Sequence, residues 1–240
     1  MYVIADADAT FPSNWLADLV APLSDPSIGI STTFPYFKPI AGFWSRAKMV
    51  WGLVGQSLME SDATRFGWGG SLAFRTDLLG KKALAYFKGA ISDDTALTKI
   101  AKARRLKIAY VRSARPVIYT RERWSTFIEW ADRQSALFSA GSSKAAYYGI
   151  AFYSLSLLLL VSAVVLSVTT SLLFLIFLIP FAAGIIKSYK RSATHYPDLP
   201  LVYLVVQVLY LVNLLRATQM ETIAWRGRRY PVQHLEAPSL

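Results

Sequence analysis

The sequence predicts an α/β domain followed by transmembrane helices, and three observations lead there. Strand and helix signals alternate over residues 1–148. No charged residue occurs over residues 145–186. Apolar residues make up 54% of the 240 residues, with a mean hydropathy of +0.34. Alternating strands and helices build layers around a mostly parallel sheet, which places ligands at the carboxyl ends of its strands. The expected division is residues 1–148 as the α/β region and 149–240 as a membrane region with a basic tail.

In chain order, "YVIADAD" reads as a buried strand, because an apolar run of this kind belongs inside a sheet. "SNWLADLVAPL" follows as a helix with Ser13 as its cap. "IGISTTFPYF" is a strand, and "GFWSRAKMVWGLVGQSLMES" an aromatic-rich helix. "GGSLAFRTDLL" gives loop, strand and helix start, and "DDTALTKIAKARRL" a basic amphipathic helix leading into the strand "KIAYV". Phe43, Trp44, Arg46, Lys48 and Trp51 suit either the lipid headgroup level or the core.

The uncharged run of 42 residues would make one helix of roughly 63 Å, whereas a bilayer core needs about 30 Å. Two helices, over about 150–167 and 171–187, turning at "SVTTS", are therefore expected. Pro180 is expected to kink the second, a cost that neighbouring helices absorb. A third apolar stretch, 199–215, lies between the basic loop "KSYKRSATHYPDLP" and "WRGRRY". With residues 1–148 cytoplasmic, two crossings return Lys187, Lys190 and Arg191 to the cytoplasm, as the positive-inside rule prefers. A third full crossing would put Arg226, Arg228 and Arg229 outside, so a re-entrant or interfacial third segment is expected.

Composition excludes several chemistries. The absence of cysteine removes a disulfide framework, a thiolate zinc site and a cysteine nucleophile. His195 and His234 lie far along the chain from the acidic motifs, which argues against a histidine metal site or triad. The net charge of +11 is spread over both halves with no dense basic arm, so the membrane, not nucleic acid, is the expected partner. No GxxxxGK[ST] phosphate loop is present.

Asp6 and Asp8 fall at the end of the first strand. Residues two apart on an extended strand share a face, so both carboxylates can meet one hard cation and the diphosphate it carries. Mg2+ or Mn2+ suits such oxygen ligands; the alternative is a solvated strand end. Asp93 and Asp94 open a helix, where one of them serves as a cap and a second can act as a general base. "GWGGSLAF" supplies three glycines that let backbone approach a ligand, with Gly70 and the hydroxyl of Ser71 at hand; a tight turn is the alternative.

In this order the motifs "ADADA" (5–9), "GWGGSLAFRTDLL" (67–79), "SDDTALTKIAKARRLKIAYV" (92–111) and "EWADRQ" (129–134), followed by membrane helices and "WRGRRY", resemble the membrane-bound inverting glycosyltransferases of family 2, ceramide glucosyltransferase-like branch. The resemblance covers most of the chain. It implies a partial GT-A (Rossmann-like) domain using a nucleotide-sugar donor and a lipid acceptor. Asp6 and Asp8 match the DxD that holds metal and diphosphate, and Asp94, with Asp93 beside it, matches the catalytic base.

The (Q/R)xxRW signature of that family is not intact. "TRERW" (120–124) has threonine at its first position, and "WADRQ" (130–134) has Gln134 where tryptophan would stand. Arg133, with Trp130 and Gln134, is preferred for gripping the diphosphate or shaping the acceptor opening. In a GT-A fold the DxD strand follows the nucleoside-binding half, so the chain is expected to begin inside the domain and to bind base and ribose poorly. A polysaccharide synthase of the same superfamily and a non-catalytic membrane subunit are the other readings.

Overall fold

The computed structural model describes residues 1–225 and 227–232, and it divides into two compact units. One comprises 1–41 and 51–121, the other 42–50 and 122–232. The boundary expected at 148 falls inside a long helix instead, and the chain divides after Arg121.

The first unit is built on a four-stranded sheet in the order β1 (Tyr2–Ala5), β4 (Ser71–Phe74), β2 (Ile28–Thr32), β5 (Lys107–Tyr110). β4 is antiparallel to both neighbours and only β2 and β5 run parallel, so the sheet is mixed where a mostly parallel one was expected. β1 is an edge strand with Tyr2 and Val3 exposed, which corrects the reading of a buried strand. An apolar run of four residues fits either position, and pairing decides between them. The antiparallel register sets Ala5 opposite Ser71, so the carboxyl end of β1 meets the amino end of β4.

"IGISTTFPYF" is two strands, because the chain breaks at Pro35. β2 joins the main sheet, and β3 (Tyr36–Pro39) pairs in parallel with β6 (Val117–Thr120) in a separate ribbon. The first helix, α1 (Trp15–Val20), starts after Asn14, not Ser13, and runs into a 3₁₀ turn at Ala21–Ser24.

The side-chain alternation of β4 defines two half-cores. Leu72 and Phe74 face Leu78, Ala83 of α3 (Lys81–Gly89), and Leu97, Ile100 and Ala101 of α4 (Asp93–Ala103). Ala73 faces Leu19 and Leu23 of the α1 segment. Leu97, Ile100 and Ala101, at i, i+3 and i+4, form the buried face of α4, with the leucine and isoleucine each contributing about 1.5–3 kcal/mol by burial. Beyond the Arg104 cap, Arg105 takes the left-handed conformation (φ 56°) and Leu106 N–H returns to Ala101 O at 2.9 Å.

α2 (Phe43–Met59) contributes residues to both units. In the second unit its first turns meet α5 (Trp124–Gly141): the Trp44 ring lies 4.7 Å from Trp124 and stacks on Phe127. Lys48 pairs with Glu122 at 2.7 Å and lies over the Trp130 ring, and Arg46 donates to Asp198 at 2.9 Å. Trp51 is buried. Arg46 and Lys48 are thus engaged by protein groups, and Trp51 belongs to the core.

α6 (Ser143–Thr169), the segment Leu172–Arg191 and α8 (Leu199–Ala217) are each long and apolar enough to cross a membrane. The turn falls at Thr170 and Ser171, as the polar "SVTTS" stretch predicts, and Ser171 Oγ accepts from Leu173 N–H. The second segment begins as a 3₁₀ helix (Leu172–Leu178) and continues as α7 (Ile179–Arg191). Pro180 lies in the first turn of α7, where a missing N–H costs no helical hydrogen bond. α8 is one uninterrupted helix of about 28 Å. A hairpin, β7 (Thr222–Trp225) and β8 (Arg228–Pro231), follows. Arg228 and Arg229 lie on β8, while Arg226 and His234 lie outside the described residues.

Candidate active site

The chain leaves β1 at Asp6 and turns at once, with Ala9 N–H bonded to Asp6 O at 3.3 Å. The Asp6-Ala7-Asp8 segment is therefore a turn and not extended strand, so strand alternation is not what relates the two carboxylates. Both residues are exposed, and Asp8 makes no hydrogen bond or ion pair among the described residues.

Asp6 is tied to the glycine loop by its own N–H, which donates to Gly70 O at 3.0 Å. A β-carbon at Gly70 would collide with both the Trp68 ring and Asp6 Oδ2, so glycine is required for this approach. At the preceding residue a β-carbon would lie 3.2 Å from Asp93 Oδ1 and 3.4 Å from Asp94 Oδ2. Three carboxylates thus converge on one dipeptide: Asp6 at Gly70, and Asp93 and Asp94 at Gly69.

The two adjacent acids differ. Asp93 is exposed and its Oδ1 accepts from Asp94 N–H at 2.8 Å. Asp94 is half-buried. Its Oδ2 accepts from Gly69 N–H at 3.1 Å, and its Oδ1 accepts from Thr95 N–H at 2.7 Å and from Ser92 Oγ. Ser92 caps α4, accepting from Thr95 N–H, so the cap duty expected of an aspartate falls to the residue before it. Burial holds the Asp94 carboxyl above the usual aspartate range, and the Asp93 charge adds to this. The Ser92, Gly69 and Thr95 hydrogen bonds pull the other way without cancelling it. A carboxylate made more basic than usual at the lip of a glycine loop is suited to taking a proton.

The oxygen donors at Asp6 and Asp8 fit a hard divalent cation. Among the described residues no group of three or more His, Asp or Glu side chains comes together to hold a metal. Magnesium commonly binds through one or two carboxylates, with phosphate and water completing its shell, so Asp6 and Asp8 are donors of the right chemical kind for such an ion.

The model of glycosyl transferase family 21 matches residues 1–237. The chain belongs to that family, the ceramide glucosyltransferase-like group expected from its motifs. A comparison with curated proteins finds no match. Family 21 membership makes the protein a glycosyltransferase with a sugar donor and an acceptor, and the three candidate spans are those of an integral membrane protein.

Most of the remaining family-derived positions belong to the second unit. Trp130, Arg133 and Gln134 are half-buried on α5 in the second unit, where the Lys48 amine lies 4.7 Å from the Trp130 ring centroid. Of the competing "TRERW" cluster, Arg121 and Arg123 are exposed, and Trp124 opens α5 against Trp44. Ser71 is fully buried on β4 and its Oγ accepts from Trp15 Nε1 at 2.7 Å, so it fixes α1 to the sheet and presents no hydroxyl to a ligand.

Three further residues around this carboxylate cluster escaped the sequence reading. Ser92 braces Asp94 and caps its helix; the S-x-x-T spacing ahead of an apolar-periodic run was the available signal. Trp68 closes one side of Gly70, with its N–H donating to Thr32 Oγ1 at 3.0 Å. Thr98, one turn after Asp94, accepts from Gly67 N–H at 2.8 Å and so pins the loop to α4. The last two carry no local signature, since their roles arise from packing between distant segments.

Proposed function

We propose that this protein transfers a sugar, with inversion, from a nucleotide-diphosphate sugar to a hydroxyl of a membrane lipid, from the cytoplasmic side. The observation that supports this reading best is the convergence of Asp6 and Asp94 on the Gly69-Gly70 dipeptide, because it brings a diphosphate-side acid and a basic carboxylate to one loop. Asp94 takes the proton as the acceptor oxygen bonds to the anomeric carbon. The bond from that carbon to the diphosphate breaks, and its electron pair leaves with the nucleoside diphosphate. Asp93, exposed beside it, raises the proton affinity of Asp94 by its charge.

Asp6 and Asp8 would hold Mg2+ or Mn2+, whose chemistry here is neutralisation of charge on the departing diphosphate. Gly70 keeps the Asp6 carboxylate against the loop, and Trp68 walls that side. Arg133, with Trp130 and Gln134, is assigned to the diphosphate or to the acceptor opening through the family motif. Three apolar helices following the catalytic residues favour a lipid acceptor.

The deciding experiment is release of nucleoside diphosphate from a panel of sugar nucleotides by the purified membrane protein, with manganese or magnesium, with and without lipid extract. Turnover that requires lipid and metal and is lost in Asp94→Asn supports the reading. Lipid-independent turnover, or full activity in Asp94→Asn, overturns it.

A further inference from the structure

We infer that the turn between α7 and α8 forms a binding site for the phosphate of an anionic phospholipid, separate from the carboxylate cluster. A cavity of about 460 Å³ opens there, lined by Ile186, Tyr189, Lys190, His195, Tyr196 and Pro197. These residues lie where two helices long enough to cross a bilayer are joined, which is where they leave its apolar layer.

The chemistry of the lining suits a lipid headgroup. The turn carries Lys187, Lys190 and Arg191 against one acid, Asp198. That acid is already taken, since Arg46 donates to it at 2.9 Å while also lying over the Tyr196 ring. Lys187 and Lys190 are exposed and have no ion-pair partner among the described residues. The Lys190 ammonium at the cavity, with Lys187 three residues before it on α7, is complementary to a phosphate at headgroup depth.

The cavity is also shaped. The Tyr189 hydroxyl donates to Tyr196 O at 3.0 Å, bridging the end of α7 to the loop, and the His195 ring sits 5.3 Å from the Tyr189 ring. Ile186 and the two tyrosine rings supply an apolar wall for the first acyl carbons, and Lys190 supplies the charge at the rim. Basic pockets between membrane helices recognise anionic headgroups in this way.

The test uses the full chain in zwitterionic phosphatidylcholine nanodiscs, titrated with phosphatidylglycerol and read by thermal stability and native mass spectrometry. Saturable stabilisation by phosphatidylglycerol is expected. It should weaken about fivefold in Lys190→Gln, the loss of one interfacial charge, and persist in Lys190→Arg. Ile186→Trp, which fills the cavity at constant charge, should abolish saturation. Equal effects of phosphatidylcholine, unchanged saturation in Ile186→Trp, or equal binding of soluble glycerol phosphate would each overturn the inference. These readouts need no turnover, so they stand or fall apart from the transferase reading.

Discussion

The backbone N–H of Gly69 donates to Asp94 Oδ2 at 3.1 Å, which locks the carboxylate at the start of α4 to the loop that leads into β4. Because Ser92 and Thr95 hold the other oxygen, the Asp94 side chain has little rotational freedom. A group fixed in this way acts through its position as much as its basicity.

Replacing it should separate chemistry from folding. Asp94→Asn keeps the shape and one carbonyl acceptor but removes the proton acceptor and sets an NH2 against a donor at the other oxygen, so turnover should fall by about 10²–10⁴ beside a stability loss of about 1–3 kcal/mol. Asp93→Asn should cost less, because its Oδ1 serves only the Asp94 N–H. Steady-state rates and melting curves of the two variants check this ordering. Equal losses in both would remove the distinction between base and neighbour.

The acid side of the pH profile follows from the same geometry. Burial, then Asp93, hold the Asp94 carboxyl above the ordinary aspartate value. Activity that needs the ionised form should therefore fall on acidification at a pH above the usual carboxylate range. Asp93→Asn removes a like charge, so its acid limb should move to lower pH. For folding the sign is opposite: a raised aspartate favours the fold below its unfolded value, and that contribution is lost as pH rises through the folded value. A kcat/KM profile of the wild type and Asp93→Asn checks the acid limb, and melting curves over the same pH range check the folding contribution.

Gly70→Ala should be more damaging than Gly69→Ala. The first β-carbon would overlap the Trp68 ring and Asp6 Oδ2, so the carboxylate must move. At Gly69 the tightest atom is Oδ1 of the exposed Asp93, at 3.2 Å, which need give only by a few tenths of an ångström, while Asp94 Oδ2 at 3.4 Å is in ordinary contact. Overpacking of this kind costs typically about 1–3 kcal/mol, and the loss of activity in Gly70→Ala should exceed its loss of stability. Metal dependence is the useful readout, since displacing Asp6 should raise the manganese or magnesium needed for half-maximal rate.

Much of this was legible in the sequence because it rests on local pattern. The α4 periodicity, the following β5 strand, the uncharged run with its turn at Thr170 and Ser171, and the clustering of acids near glycines are set by residues close in the chain. What was not legible is set by long-range pairing. The edge position of β1, the antiparallel β4 and the burial of Ser71 beneath Trp15 depend on partners tens of residues away. The turn at Asp6 belongs with these, because its N–H is claimed by Gly70.

The path of α8 gives a topological prediction. It is an uninterrupted helix of crossing length, with Gln207 and Asn213 buried on its protein-facing side. If it crosses, residues 192 and 228 lie on opposite faces of the membrane, against the pull of the positive-inside rule on Arg228 and Arg229. The chain has no cysteine, so single cysteines at Ser192 and Arg228 can be labelled without background. Opposite accessibility to an impermeant maleimide is expected, and labelling of both from one side would restore the re-entrant reading.

The ion pair between Arg216 of α8 and Asp132 of α5, at 3.0 Å, should prove asymmetric. Asp132 is the more buried partner, and burial raises its carboxyl above the ordinary value while Arg216 opposes that rise. Removing the arginine leaves a desolvated charge behind, whereas removing the aspartate charge leaves Arg216, half of whose side chain is exposed, free to turn to solvent. Arg216→Met should therefore lower the melting temperature at neutral pH more than Asp132→Asn does. The difference should correspond to about 1–2 kcal/mol, less than for a fully buried pair. It should also shrink on acidification, as Asp132 takes up a proton and the unpaired charge disappears. Melting temperatures of the two single variants and the double variant at two pH values measure this directly, and equal losses at both would show that packing, not charge, holds α5 to α8.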